Sequence, residues 1–478
     1  MKRKLLPITI LLAGVMMLAS CLGDDDSTSN ITTYSDCALT AFSIGTLNQT
    51  YLDCNGDTIK KTDATDSTTT VDCSSYKMTI DQAKGEVYNT DSLPVGVDIS
   101  KVVCTVTSKN SGIIVLKRVD NDTLDYYTST DSISFATKDS TREFRVYSTD
   151  GTAFRKYNVK LNVHKEFADS FRWSCQPVEA LQRQAVASRT VALGKKVVAV
   201  VSDGVNSWFQ ANTTGVAADG FKTLSSNRNG LLGADVYKNV AVLNGWLYVL
   251  DGTQILKSQD AQNWQTCAAA PAGMKQLVGA SEMKLYALTE SGMSSSVDGV
   301  EWTAETLDPS ISASQLPTGT VTLNVLPLAT NKGFYRLVMT GNSATGSKSA
   351  TIWGKIENTN DLSDNYSWTL YDGEGTKLLP DMQQINTVVY DGKLFAIGGT
   401  GLNGSSVKPY AKVYCSTDQG LTWTKATLFG LPSGFSTTDA ADAASMGVDA
   451  DNNLWIVSPV AHQAWKTRVN RLGWKTTK

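Results

Sequence analysis

The sequence predicts an all-β protein of two domains, the larger of which is a β-propeller of six blades, with a seventh left open. First, the 478 residues are rich in Gly, Ser, Thr, Asn and Asp, and only 19% are charged. Second, no long amphipathic helical pattern appears. Third, short apolar strands recur through the larger C-terminal part of the chain, and a tryptophan follows each one.

The chain opens with a secretory signal. Basic residues at positions 2–4 precede an apolar run over residues 5–19, which is too short for a membrane-spanning helix. Residues 18–21 read Leu-Ala-Ser-Cys and resemble the bacterial lipobox. That resemblance implies a signal peptide over residues 1–20 and a lipid on Cys21. The alternative is an ordinary signal peptide with a chance cysteine.

A polar tether is predicted over residues 21–33, because this stretch has too few apolar side chains to order itself. Its acidic run, Asp24–Asp26, resembles the surface-export tag of lipoproteins from Gram-negative gut anaerobes. The resemblance implies a protein anchored by lipid in the outer membrane and exposed at the cell surface. The alternative is that this stretch is a solvated linker that carries no export signal.

The first domain is predicted over residues 34–165 and ends in a β-hairpin. Residues 142–147 form a β-rich run, and Asp150-Gly151 is a turn signal. Apolar and polar residues then alternate over 157–164, which is typical of a half-buried strand. This hairpin resembles the last one of an immunoglobulin-like sandwich, so the resemblance implies an Ig-like spacer beside the membrane.

Eight cysteines are present, and export permits disulfides. Four of them fall in the first domain and allow three pairings, among which the sequence does not choose: Cys37, Cys54, Cys73 and Cys104. The three in the second domain are far apart, and we expect buried thiols at Cys175, Cys267 and Cys415.

The second domain is predicted over residues 167–478 and consists of repeats. The recurring apolar strands are Val197–Val201, Leu247–Leu250, Leu285–Leu288, Phe334–Met339, Leu394–Ile397 and Leu454–Val457. The tryptophans that follow them are Trp208, Trp264, Trp302, Trp368, Trp423 and Trp474. A spacing of several strands per repeat indicates propeller blades, which bury their faces against each other in a ring. We expect residues 171–174 to supply a strand that closes the ring.

One tryptophan ends a recognisable motif. Ser416, Asp418, Gly420, Thr422 and Trp423 match the Asp-box, Ser-x-Asp-x-Gly-x-Thr-Trp, at every fixed position. Two shorter copies match at Ser258, Asp260 and Trp264, and at Ser296, Asp298 and Trp302. We interpret the box as a folding element in which Asp accepts backbone N–H bonds, Gly takes a positive φ and Trp packs under the turn.

Asp-boxes, also called BNR repeats, occur in sialidases and in many propellers that are not enzymes. A sialidase requires an arginine cluster, a tyrosine–glutamate pair and an acidic aspartate, with its first arginine in a Phe-Arg-Ile-Pro stretch. The nearest string here, at residues 171–174, departs from that stretch at its last two positions. No catalytic residue is therefore carried over. The whole layout resembles a family of uncharacterised two-domain surface lipoproteins.

Composition narrows the function further. A net charge of −3 gives no sign of the basic surface that binds nucleic acid, so no nucleic-acid partner is expected. Only two histidines exist, His164 and His462, and they fall in different domains. We expect no metal site and no cofactor. Contact with the membrane is expected only through the lipid anchor.

Three functions remain open. The first is a non-catalytic binding module whose propeller takes a glycan or protein ligand, with Trp246 and Trp353 as candidate ligand-binding residues outside the repeating tryptophan position. The second is a glycoside hydrolase or lyase, which predicts Asp, Glu, Arg and Tyr side chains at the centre of one propeller face. The third is a structural component of the envelope.

Overall fold

The computed structural model describes residues 32–50, 68–213, 220–228, 232–361, 363, 366–372, 377–435 and 443–474. The chain divides into two compact units, with the boundary between Glu166 and Phe167. The predicted signal peptide, Cys21 and the tether up to residue 31 lie outside the described residues. No helix within the described residues is long and apolar enough to cross a membrane.

The N-terminal unit is built of short strands and one 3-10 turn, Lys109–Ser111. Its strands are β1 Leu39–Ile44, β2 Thr46–Thr50, β3 Thr68–Asp72, β4 Met78–Asp81, β5 Glu86–Asn89, β6 Val102–Ser108, β7 Ile113–Lys117, β8 Leu124–Tyr126, β9 Ser132–Ile133, β10 Thr141–Tyr147 and β11 Phe154–Lys160.

These strands form a sandwich around one core. A six-stranded sheet has the order β4-β5-β11-β10-β7-β8, a three-stranded sheet has the order β1-β6-β9, and β2 pairs with β3. Phe42 of β1 packs edge-on against Phe144 of β10, with ring centroids 5.7 Å apart, so side chains of two sheets meet in the core. The terminal hairpin is present as β10 and β11, which pair antiparallel.

The second unit contains the remaining strands and three 3-10 turns, at Ala234–Lys238, Ala313–Gln315 and Asn470–Gly473. Its strands are β12 Ser174–Pro177, β13 Ala187–Leu193, β14 Lys196–Ser202, β15 Asn206–Thr213, β16 Lys222–Thr223, β17 Leu232–Gly233, β18 Val240–Leu243, β19 Trp246–Asp251, β20 Gln254–Ser258, β21 Gln265–Ala269, β22 Met274–Ala280, β23 Leu285–Thr289, β24 Met293–Ser296, β25 Thr303–Ala304, β26 Thr318–Pro327, β27 Phe334–Asn342, β28 Thr351–Asn358, β29 Thr369–Leu370, β30 Asn386–Tyr390, β31 Lys393–Ile397, β32 Tyr414–Ser416, β33 Thr424–Lys425, β34 Ser445–Val448, β35 Leu454–Ser458 and β36 Gln463–Thr467.

These strands form a propeller, and the described residues make six blades. Blade 1 is β13–β16 with β17 beside β15, and blades 2 to 5 are β18–β21, β22–β25, β26–β29 and β30–β33. Blade 6 combines β34, β35 and β36 with β12. The first strands of the blades contact each other in chain order, and β34 returns to β13. The prediction of an all-β propeller fold is confirmed.

The six apolar runs found in the sequence are the second strands of the blades. In β14, for example, Val197 to Val201 are at most 1% exposed. A strand in this position has sheet neighbours on both sides and blades on both faces, so its whole length is apolar. This continuous burial is why the repeats could be recognised without any alignment.

Both ends of the unit build the last blade. The closing strand is β12, which pairs antiparallel with β36 from Ser174–Lys466 to Pro177–Gln463. It begins at the last residue of the stretch 171–174 that the sequence predicted for this role. Phe171 and Trp173 instead pack edge-on against Phe429, with ring centroids 6.3 and 6.5 Å away, and so belong to the core.

The cysteines depart from expectation. Cys37, Cys73 and Cys104 are free thiols, and each of the three pairings would join two of them, so none of the complete disulfide frameworks is present. Cys54 lies outside the described residues. In the second unit Cys175 is exposed, because β12 is the outer edge strand of its blade, while Cys267 and Cys415 are half-buried. The prediction of buried thiols was wrong for Cys175.

Candidate functional site

The first strands of all six blades surround a cavity of about 240 Å³ on the axis of the propeller. They are β13, β18, β22, β26, β30 and β34, and each strand contributes two to four lining residues. Such a cavity is the usual place for a ligand in a ring-shaped fold, because every blade can contribute a side chain there.

Arg189 of blade 1 lines this cavity and reaches across the axis. The side chain is buried, and Nη1 donates to the carbonyl oxygens of Val321 at 3.0 Å and Lys238 at 3.3 Å. Nη2 donates to the carbonyl oxygen of Val278 at 3.0 Å. These acceptors lie in or immediately before the first strands of blades 2, 3 and 4, so one guanidinium ties four blades together.

The cavity carries an uncompensated positive charge. Burial lowers the pKa of Arg189 to about 10, which still leaves the guanidinium protonated at neutral pH. Among the residues that the structure describes, no carboxylate lines the cavity. Backbone carbonyls therefore provide the stabilisation that a counter-ion usually gives a buried cation.

Hydroxyl and amide groups make up the polar part of the wall. Between blades 4 and 5, the hydroxyls of Thr322 and Thr387 are hydrogen-bonded, and Nδ2 of Asn324 donates to Oγ1 of Thr387 at 2.6 Å. Between blades 6 and 1, Thr190 shares a 2.8 Å hydrogen bond with Ser445. These groups can both donate and accept, which suits a ligand that carries hydroxyls.

A hydrogen bond between two side chains crosses one end of the cavity. Nε2 of Gln384, just before the first strand of blade 5, donates to the hydroxyl of Tyr237 at 3.2 Å. Tyr237 precedes the first strand of blade 2, which lies opposite blade 5 in a ring of six. Gln384 has a φ of +48°, a left-handed conformation that costs a non-glycine residue about 1 kcal/mol or more. Such strain is typical of positions where function fixes a side chain.

The motif at residues 416–423, which matches the Asp-box pattern at every fixed position, forms the turn between β32 and β33. Asp418 accepts from the Ser416 hydroxyl at 2.8 Å and from both the backbone N–H and the hydroxyl of Thr422, at 2.9 and 2.6 Å. Gly420 has a φ of +98°, and its carbonyl accepts from Nε1 of buried Trp423 at 3.0 Å. Desolvation would raise the pKa of Asp418, but these hydrogen bonds outweigh it and lower the pKa.

The two shorter copies adopt the same hydrogen-bond pattern in blades 2 and 3. Asp260 accepts from the Ser258 hydroxyl and Asp298 from the Ser296 hydroxyl, each at 2.9 Å. Trp264 donates to the carbonyl of Ala261 at 3.2 Å, and Trp302 to that of Gly299 at 3.3 Å. None of the three boxes supplies a residue to the central cavity, so the boxes lie apart from the candidate site.

The two candidate ligand-binding tryptophans also lie outside the cavity. Trp353 is fully buried between blades 3 and 4, and its Nε1 donates to the carbonyl of Gln315 at 3.1 Å, so its assignment as a ligand-binding residue was wrong. β28 is buried along most of its length because neighbouring blades cover both of its faces, and the sequence alone does not show this packing. Trp246 is half-buried at the start of β19, with Lys257 Nζ 5.1 Å from its ring centroid.

A buried ionic cluster, which the sequence reading missed, lies between blades 3 and 4. Lys355 forms an ion pair with Glu305, and both side chains are at most 3% exposed. Glu305 also accepts from Trp368 Nε1 at 3.0 Å. Glu357 accepts from Tyr286 at 2.7 Å, while its Oε2 has no hydrogen-bond partner among the residues that the structure describes. The signal was the pair of charged residues, Lys355 and Glu357, in a strand whose other residues are uncharged.

This cluster differs from the arrangement expected of a glycoside hydrolase. Its carboxylates lie between two blades and not on the propeller axis, where only Arg189 among the described lining residues is charged. Desolvation raises the pKa of Tyr286 far above its usual range, which keeps that phenol protonated. The described residues contain no group of three or more His, Cys, Asp or Glu side chains placed to hold a metal ion.

Comparison with solved structures finds distant likenesses. The structure of YjhT has a TM-score of 0.39 and 12% identity, covering 59% of this chain and 92% of that one. A Trichoderma reesei carbohydrate-active enzyme of family AA12 has a TM-score of 0.36 and 9% identity, covering 62% and 95%. The N-terminal domain of Nup159 has a TM-score of 0.31 and 9% identity, covering 64% and 97%. At these values the likenesses carry no information about ligand or chemistry.

Comparison with protein families identifies the family of this chain. No curated protein matches the chain. A DUF6242 beta propeller domain matches residues 167–477, and a DUF6242 N-terminal domain of unknown function matches residues 42–161. Together the two matches span most of the sequence, and the chain therefore belongs to the two-domain DUF6242 family.

Proposed function

We propose that this protein is a lipid-anchored surface lipoprotein whose propeller binds the end of a glycan in the central cavity. The observation that carries the proposal is the cavity itself, in which six strands combine hydroxyl, amide and guanidinium groups on the propeller axis. Saccharides present many hydroxyls at fixed spacing, and a wall of side chains that donate and accept matches such a surface.

The wall also has an apolar part, which suits the C–H faces of a sugar ring. Val242, Val389 and Val448 line the cavity beside the polar groups described above. A protein ligand would need a broader surface than a cavity of about 240 Å³, so we favour a glycan end. The N-terminal unit serves in this proposal as an Ig-like spacer between membrane and propeller.

The anchor supports a location for this binding. Leu-Ala-Ser-Cys at residues 18–21 and the acidic run after it favour lipidation at Cys21 and exposure on the outer membrane. Metabolic labelling with radioactive palmitate should mark the wild type and leave Cys21→Ala unlabelled. Protease added to intact cells should degrade the wild type; full protection would contradict surface exposure.

A glycan array and a hydrolysis screen test the binding itself. The chain beginning at Leu22 keeps both domains and is the sample for both assays. The matched variants are Ala192→Phe, which fills the cavity, and Ala304→Phe on the exposed outer strand β25. We expect retention of a glycan without turnover, lost in Ala192→Phe and kept in Ala304→Phe.

Other outcomes point elsewhere. Turnover of any glycan would contradict a binding-only role and favour a glycoside hydrolase or lyase. Retention that survives Ala192→Phe would place the binding site outside the central cavity. If the glycan array shows no binding and the screen shows no hydrolysis, a protein ligand or a structural role in the envelope is favoured.

A further inference from the structure

We infer that the central cavity selects acidic ligands, with a carboxylate of the bound glycan held by the guanidinium of Arg189. This inference rests on the proposed function and names the chemical class of its ligand. It begins from a cation that is buried, lines a cavity and has no acidic partner among the described residues of that cavity.

The hydrogen bonds of Arg189 leave room for such a ligand. A guanidinium has five N–H donors, and three hydrogen bonds to carbonyl oxygens are made here, two from Nη1 and one from Nη2. The Nε–H and one Nη2–H have no acceptor among the residues that the structure describes. Two such donors on one planar group match the two oxygens of a carboxylate.

Electrostatics favour the same class of ligand. The buried guanidinium is stabilised by carbonyl dipoles but still lacks a counter-ion, and an entering anion would supply one. The cavity is lined by strands whose other side chains are neutral, so nothing there repels an anion. The three carbonyls fix the guanidinium across blades 1 to 4, which places it before the ligand arrives.

The neighbouring side chains suit the rest of an acidic sugar. Thr190, Thr322, Asn324 and Thr387 share the cavity with Arg189 and can meet ring hydroxyls. An inorganic oxyanion would use the guanidinium but not these groups. A uronic acid would use both, so the inference commits to a carboxylated sugar.

Isothermal titration calorimetry on the chain beginning at Leu22 tests this directly. The probes are D-glucuronate and D-glucose, which differ in the carboxylate at C6, together with inorganic phosphate. We expect glucuronate to bind at least about tenfold more tightly than glucose and phosphate, which is the size expected for a charge-assisted hydrogen bond. Arg189→Met should abolish that preference, and Arg189→Lys should restore part of it.

The same titrations separate the inference from the proposal. Equal binding of glucose and glucuronate, lost in Ala192→Phe but unchanged in Arg189→Met, would overturn the carboxylate assignment and keep the glycan site. Phosphate binding as tight as glucuronate would overturn the assignment to a sugar. If Arg189→Met does not fold, the wild type is titrated with glucuronate in the presence of acetate. Glucuronate binding that acetate does not weaken would overturn the role of the carboxylate. Absence of binding by every probe would overturn the inference, while the glycan array alone decides the proposed function.

Discussion

Replacing Lys355 with methionine should destabilise the propeller more than any surface substitution. Lys355 is 2% exposed, pairs with Glu305 and lies 5.9 Å from the ring centroid of Tyr286. Methionine fills a similar volume but carries no charge. The change would leave the carboxylates of Glu305 and Glu357 buried together without a cation.

The magnitude follows from burial and geometry. Glu305 cannot turn toward solvent, because Trp368 at 3.0 Å and Ser295 at 2.6 Å hold its two oxygens. Breaking a buried ion pair by removing one partner typically costs about 3–5 kcal/mol. For a domain of this size that corresponds to a fall in Tm of roughly 5–8 °C, because the unfolding entropy grows with chain length.

Urea unfolding followed by tryptophan fluorescence measures this cost, and calorimetry measures the shift in Tm. Lys425→Met is the matched control, because Lys425 is exposed on strand β33. Its cost should stay within about 0.5 kcal/mol. The double variant Lys355→Met/Glu305→Gln should recover part of the loss, because it removes one of the stranded charges. A cost below about 1 kcal/mol for Lys355→Met would refute the argument.

Three further predictions concern the turns and the ring closure. Trp423→Ala should cost about 3–5 kcal/mol in urea unfolding, whereas Trp423→Phe, which mainly loses the bond to Gly420, should cost about 1 kcal/mol. The hydrogen bond from Arg471 lowers the pKa of Asp391, so the stability from this pair is complete above the usual Asp range and is lost as pH falls through the lowered pKa. The stability difference between wild type and Arg471→Met should therefore shrink between pH 7 and pH 3. Deleting Ser174–Pro177 should abolish a single cooperative thermal transition in calorimetry, because blade 6 loses its outer strand.

The second strand of each blade and the turns could be predicted from the sequence, because each produces a pattern within a few neighbouring residues. Continuous burial makes runs such as Val197–Val201 apolar throughout, and the Asp-box needs fixed residue types within one turn. The closing strand was expected three residues too early. Phe171 and Trp173 look like strand residues, but their aromatic rings fit the core beside Phe429.

The candidate site could not be predicted from the sequence, because its contacts join residues that are far apart along the chain. Arg189 is one arginine among several in the propeller, and its carbonyl partners lie 49, 89 and 132 residues away. Glu305 and Lys355 are 50 residues apart and meet only because blades 3 and 4 are neighbours. Trp353 was misjudged for the same reason, since only the packing of two blades shows that it is buried.

The ring closure would have a mechanical consequence under the proposed lipid anchor at Cys21. The chain enters the propeller through β12, and four residue pairs join this strand to β36. A pull on the chain ahead of residue 167, acting against the body of the propeller, therefore first loads the hydrogen bonds that residues 167–172 make with Thr467, Asn470 and Arg471, and then the β12–β36 pairs. Blade 6 is the point at which tension would first open the ring, and the other five blades would keep their own strand pairing while it did so.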